Sequence, residues 1–197
     1  MAISKTSIVN KALTICGASP ITNIDDDTNN ARIVNRVYEI ARQSILTECA
    51  WTFALTRTTL SLSAVQLAWE YDSEAYTYVK PADVLKIFDV SDAYATWREE
   101  GDYIISDTGS LGIKYVYDLD TPEKYSPAFI EAFIDKLCAD ISYAIINSAK
   151  QAEGFLAKYE KVSLPKAQSD NSQRGTQQVP KDDAWELSKY HNGNSFA

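Results

Sequence analysis

The chain has 197 residues, 45% hydrophobic and 23% charged, which excludes wholesale disorder, a collagen-like repeat and a coiled-coil rod. Its 19 basic and 27 acidic side chains leave a net charge of -8, which argues against a broad phosphate-binding surface. Such a length buries a core without metal or disulfide staples and fits one domain with an extension.

The charge is unevenly spread. Residues 68 to 124 carry five basic and thirteen acidic groups, while the segments on either side are close to neutral. Cys16, Cys49 and Cys138 lie far apart in apolar stripes, without metal-ligand spacing, and read as reduced core residues. Lys5-Thr6-Ser7 interrupts any apolar leader, and the longest uncharged stretch, Ala12 to Ile24, is thirteen residues, ahead of the twelve from Thr58 to Trp69, and both are too short for a bilayer. A soluble protein with no membrane partner is expected.

Ser4, Thr6 and Ser7 are candidate caps for a first helix over 6–17, with Ile8, Ala12 and Ile15 in one stripe and Gly17 at the left-handed C-cap position. Asp27 or Thr28 caps a second helix over 28–50. Its apolar positions Ala31, Val34, Tyr38, Ala41, Ile45 and Cys49 recur at helical spacing. Ile33, Val37 and Ile40 flank that stripe, so this helix is expected to be central in a bundle.

After Trp51 the pattern changes to short β-branched and aromatic runs: Thr52 to Ser63, Tyr76 to Val79, Val84 to Val90, Tyr103 to Ser106 and Ile113 to Tyr117. They predict one inserted antiparallel sheet of three to five strands within 52–118, with Glu99 to Asp102 as a turn. Helix returns over 126–162, capped at Thr121 or Ser126, each followed by proline, with Gly154 as the expected break. Leu164-Pro165 should end it.

The folded core is therefore placed at 1–164 and an extended arm at 165–197. The arm has only Val179 and Leu187 among its larger aliphatics, too little apolar area to offset its ordering entropy. Trp185, Leu187, Tyr190 and Phe196 are spaced along it like anchors for a partner surface. The predicted fold class is α+β, mainly α, with about four helices, an inserted small sheet and this C-terminal arm.

Chemistry is sparse. His191, the only histidine, lies in the arm, where no rigidly oriented base is expected, and no phosphate loop is present. Asp25, Asp27 and Asn29 imitate the start of a calcium loop. The glycine position is Asn30 and the closing glutamate position is Arg36, so capping explains them better. Glu99, Glu100 and Asp102 are the one acidic group that could serve a glycoside hydrolase, given a cleft between two carboxylates. Lys11, Arg32 and Arg36 could gather near one end of the first two helices. No cofactor is expected.

The opening residues carry a resemblance: Ile8-Val9-Asn10-Lys11-Ala12-Leu13, Gly17-Ala18-Ser19-Pro20-Ile21, Asp25-Asp26-Asp27, Asn30-Ala31-Arg32, then Tyr38, Ala41, Arg42 and Trp51-Thr52-Phe53-Ala54. Over roughly residues 1 to 60 this resembles the tail tubular protein A family, the head-to-tail adaptors of short-tailed bacteriophages. The resemblance implies a noncatalytic virion protein that forms a homo-oligomeric ring, a dodecamer, between the portal protein and the tail nozzle protein. The ring would continue the DNA channel without sequence-specific binding and close the head after packaging. Localisation would be the head-tail interface, with assembly in the host cytoplasm. The arm anchors would dock on the portal or a neighbouring subunit, and Glu99, Glu100 and Asp102 would face the channel or tail. The competing expectations are a cell-wall glycan hydrolase using an acidic pair and a monomeric helical interaction module.

Overall fold

The computed structural model describes residues 3–65, 69, 71 and 75–174. In chain order these form α1 (Lys5–Ile15), α2 (Asn29–Thr47), six strands β1 (Leu55–Thr59), β2 (Tyr76–Val79), β3 (Val84–Val90), β4 (Trp97–Glu100), β5 (Tyr103–Ser106) and β6 (Gly112–Tyr117), a 3-10 turn at Pro122–Lys124, α3 (Pro127–Ile146), α4 (Ala149–Lys158), a π-helical turn at Tyr159–Ser163, and α5 (Leu164–Ser172). The class is α+β, mainly α, with the strands inserted between the second and third helices.

Local chemistry explains the helix ends. The Ser4 hydroxyl accepts the Ser7 N–H while the Ser7 hydroxyl takes up the Ser4 N–H, a reciprocal cap on α1. At its other end Gly17 has φ +73, the Ala18 N–H reaches the Leu13 carbonyl at 2.9 Å and the Gly17 N–H reaches Thr14 at 3.1 Å. That is a Schellman closure, which only a residue tolerant of positive φ completes without strain. Thr28 caps α2 and Ser126 caps α3, with Pro127 in the first turn.

The core is apolar and helical at one end. α3 packs against α1, α2, α4 and α5, so α3 is the central helix. The expectation that α2 is central does not hold: Ile33 and Val37 are half-buried and Ile40 is 70% exposed. Neighbours cover one side of α2 and leave the flanking stripe open. Trp51, Phe53 and Tyr125 each set their rings against Phe129, at centroid distances of 5.0 Å. Burying each large ring contributes about 1.5 to 3 kcal/mol.

The strands form two three-stranded antiparallel sheets, ordered β1-β6-β3 and β2-β5-β4, rather than one. The chain leaving β1 crosses from the first to the second, where Leu62 bridges Tyr78. Side chains alternate across the first sheet. One face places Val116 with the helical core, and the other sets Ile113 and Tyr115 against Leu60, Tyr78 and Ile104 in a second small core. Glu99 and Glu100, expected in a turn, lie in the edge strand β4. The turn itself is Gly101-Asp102.

Two boundaries also shift. The break after α3 is at Asn147, which adopts φ 55, and Gly154 lies inside α4. Pro165 does not end the helical course. The Leu164 N–H bonds back to Tyr159, a widened turn immediately before the proline ring, and α5 follows. Ala167 and Asn171 on α5 are buried, so the core continues through Ser172 instead of giving way to an arm at 165. Among the described residues no helix is long and apolar enough to cross a membrane.

Candidate functional site

Residues that carry the resemblance build the α1–α2 junction. The Asn10 side chain clamps Ile21 from both sides, donating to its carbonyl at 2.9 Å and accepting its N–H at 2.8 Å. Asn30 donates to the Ser19 carbonyl at 2.9 Å, and the Asp26 carboxylate accepts the N–H groups of Thr22 and Asn23. Asp27 pairs with Arg32, so the acidic run caps and braces the loop. Lys11 and Arg36 are exposed and make no ion pair among the described residues.

A second constellation lies where the helices meet the end of β6. Arg42 is 3% exposed. It donates to Asp118 at 2.6 Å, to the Leu119 carbonyl at 2.8 Å and to Glu39 at 2.8 Å. Lys5 extends the network to Glu39 and Asp120. Burial opposes the Arg42 charge, but Asp118 and Glu39 outweigh it and hold the guanidinium above its ordinary pKa. For Lys5 burial likewise pulls downward, and the hydrogen bond it donates to Asp120, with the Glu39 charge, leaves the ammonium raised. These are fixed, fully charged groups, suited to joining elements and unsuited to proton transfer.

Asp135 on α3 is the other buried charge. Lys158 reaches it at 2.8 Å and the Ser163 hydroxyl donates to its second oxygen, pinning the π-helical turn to the central helix. The thiols are free: Cys16 and Cys138 are buried and Cys49 is half-buried. Cys138 donates to the Ala12 carbonyl, and its hydrogen bond with Cys16 together with burial pushes its pKa up. Sequence reading attached no role to Asp135 and knew Arg42 only through the resemblance. Apart from Glu39, one turn before Arg42 on α2, their partners stand far away along the chain, so local spacing does not mark them.

The acidic group lies on the second sheet. Glu99 and Glu100 are neighbours on β4 and therefore point to opposite faces, and each has a cation nearby: Lys80 at 3.6 Å from Glu99, Arg98 at 3.0 Å from Glu100. They do not flank one cleft. Asp102 is exposed at the turn between β4 and β5. The arm anchors Trp185, Leu187, Tyr190 and Phe196, and His191 with them, lie outside the described residues.

No family model and no curated protein matches this chain. Large apolar side chains stand open on the helical part at Ile40, Tyr143 and Val162, and on the β part at Leu62, Trp69 and Tyr94, the last 95% exposed.

Proposed function

We propose that this chain is a noncatalytic structural subunit, a head-to-tail adaptor of a short-tailed phage that assembles as a ring between portal and tail nozzle. The observation that carries the reading is the α1–α2 junction: the residues that resemble the adaptor family, Asn10, Gly17, Ile21 and Asn30 among them, are the ones whose hydrogen bonds and caps build it. A helical bundle with a β part inserted between its helices agrees with the architecture the resemblance implies. Apolar side chains left open on both parts supply surfaces for subunit and tail contacts.

In this role the ring continues the DNA channel without reading sequence. Like charge on β4 keeps the passing genome from adhering where that edge borders the lumen. The residues beyond Arg174 dock on the portal or on the neighbouring subunit, with Trp185 and Tyr190 as principal anchors and Leu187 and Phe196 beside them. The protein works in the virion at the head-tail interface and assembles in the host cytoplasm.

Cosedimentation with the cognate portal tests this. The full chain should travel with the portal, and a variant carrying Trp185→Ala and Tyr190→Ala should be left behind. Equal retention of both would remove the anchor assignment, and no retention of either would remove the adaptor reading. A glycan-cleavage assay separates the enzymatic alternative: an adaptor has no rate for Glu99→Gln, Glu100→Gln and Asp102→Asn to abolish.

A further inference from the structure

Strand register places a like-charge pair on the first sheet. Arg57 on β1 stands directly opposite Lys114 on β6, and neither has an ion-pair or hydrogen-bond partner among the described residues. Two cations facing each other across an antiparallel ladder weaken it, a cost that an anion placed between them removes. Asp89 on β3 is the register partner of Lys114 on its other side, with one carboxylate oxygen held by the Val90 N–H at 2.9 Å.

A cavity of about 520 Å³ opens beside this pair, bounded by Arg57, Lys114, Asp89, Thr59, Ser91 and Gly112. Its wall at Gly112 is tight. The Gly112 N–H donates to the Ser91 hydroxyl at 2.9 Å, and a Cβ on Gly112 would come within 3.2 Å of the Ser91 Cβ and 3.4 Å of the Thr58 carbonyl. Two cations and one carboxylate leave the cavity with one formal positive charge. That suits a single incoming carboxylate. A duplex, with its array of phosphates, would meet Asp89 and a chain of net charge -8.

The β part also carries an unpaired carboxylate. Asp102 is exposed at the β4–β5 turn, where Gly101 takes φ +58, and its side chain has no partner among the described residues, unlike Glu99 and Glu100 beside it. The Asp102 carbonyl accepts the Lys80 N–H at 3.0 Å, and Lys80 leads through Pro81 into β3 at Val84, opposite Tyr117. Lys114 stands three residues along β6 from Tyr117, about 10 Å at the usual rise per strand residue, with Arg57 as its register partner. Asp102 makes no ion pair with Arg57 or Lys114 among the described residues, so within one chain the carboxylate and the two cations stay apart.

We infer that the cavity beside Arg57 and Lys114 receives Asp102 from a second copy of this chain, joining copies head to tail. Such a contact is heterologous, and it closes into a ring or runs on as a filament according to the rotation between copies. The inference rests on the ring reading and names a charged contact that holds neighbours in register. It also assigns Asp102 to a neighbouring subunit instead of the channel.

Sedimentation velocity of the full chain over a concentration series, with and without portal, tests the contact. Arg57→Glu with Lys114→Glu should move assembly to concentrations at least about tenfold higher, and Asp102→Lys should do the same. All three together should bring assembly back toward the wild-type range, because an ammonium at position 102 then meets carboxylates at positions 57 and 114. Asp102→Lys, at an exposed turn, keeps the test valid if the double reversal does not fold. Reversed variants that assemble like wild type overturn this contact and leave the ring reading standing. A wild-type chain that stays monomeric under every condition overturns both. Retention of duplex DNA by the wild type and its loss in Arg57→Glu with Lys114→Glu would give the cavity to phosphate and overturn the inference.

Discussion

Arg42 on α2 donates to Asp118 at 2.6 Å across 76 residues of chain, joining the helical core to the segment that leaves β6. Glu39, the Leu119 carbonyl and Lys5 complete the joint, so the inserted β part is tied to the bundle by charge as well as by apolar contact.

Replacing Arg42 by Met leaves Asp118 and Glu39 without their buried cation and should lower stability by about 3 kcal/mol. Lys5→Met removes a partner that is one-third exposed and should cost less than about 1 kcal/mol. Urea midpoints at constant slope read both changes. Equal losses would contradict the central place given to Arg42.

α5 makes a second prediction. The Asn171 side chain accepts the Thr52 N–H at 2.8 Å and donates to the Ala50 carbonyl at 3.0 Å, holding the turn that carries Trp51 and Phe53 into the aromatic core. Asn171→Ala should cost about 1 to 3 kcal/mol, because two part-buried backbone groups lose their hydrogen-bond partner. A chain ending at residue 164 should melt well below one ending at residue 174. Coincident melting curves would return the boundary of the core to Leu164.

This boundary shows what a local reading captures. Ser4, Thr28, Ser126 and Gly17 act on groups within a few residues, and their roles are legible because capping is local. Pro165 and Gly154 are local signals that tertiary packing overrides: a widened turn admits the proline, the buried faces of Ala167 and Asn171 hold the helix beyond it, and α4 accommodates the glycine. The division of six strands into two sheets, and the pairing of Arg57 with Lys114, depend on register between distant segments, which no periodicity encodes. The bonds from Arg42 to Asp118 and Leu119 are invisible for the same reason.

Alkaline titration supplies a third prediction. Burial pushes the phenols of Tyr38, Tyr125 and Tyr159 well above their ordinary value of about 10. A raised folded pKa contributes stability that is fully present below the unfolded value and is lost as pH rises through and beyond it. The melting temperature should therefore hold steady with respect to these groups up to about pH 10 and fall above it. Phenolate absorbance should show these three ionising only with unfolding. Ionisation of every tyrosine in one step before unfolding would contradict the packing described.

The hydroxyls of Tyr38 and Tyr159 have no hydrogen-bond partner among the described residues, whereas the Tyr125 hydroxyl donates to the Leu119 carbonyl at 2.8 Å. Tyr159→Phe should be neutral or slightly stabilising and Tyr125→Phe should cost about 1 kcal/mol. Thermal melts of the two variants side by side check the order, and the reverse order would contradict it.

Electron microscopy of the full chain mixed with its cognate portal tests the adaptor reading most directly. The account predicts a closed ring of this protein seated beneath the portal, its helical bundles packed around the circumference and its β parts projecting. Portals that remain bare, with the chain left as separate monomers at every concentration, would contradict it.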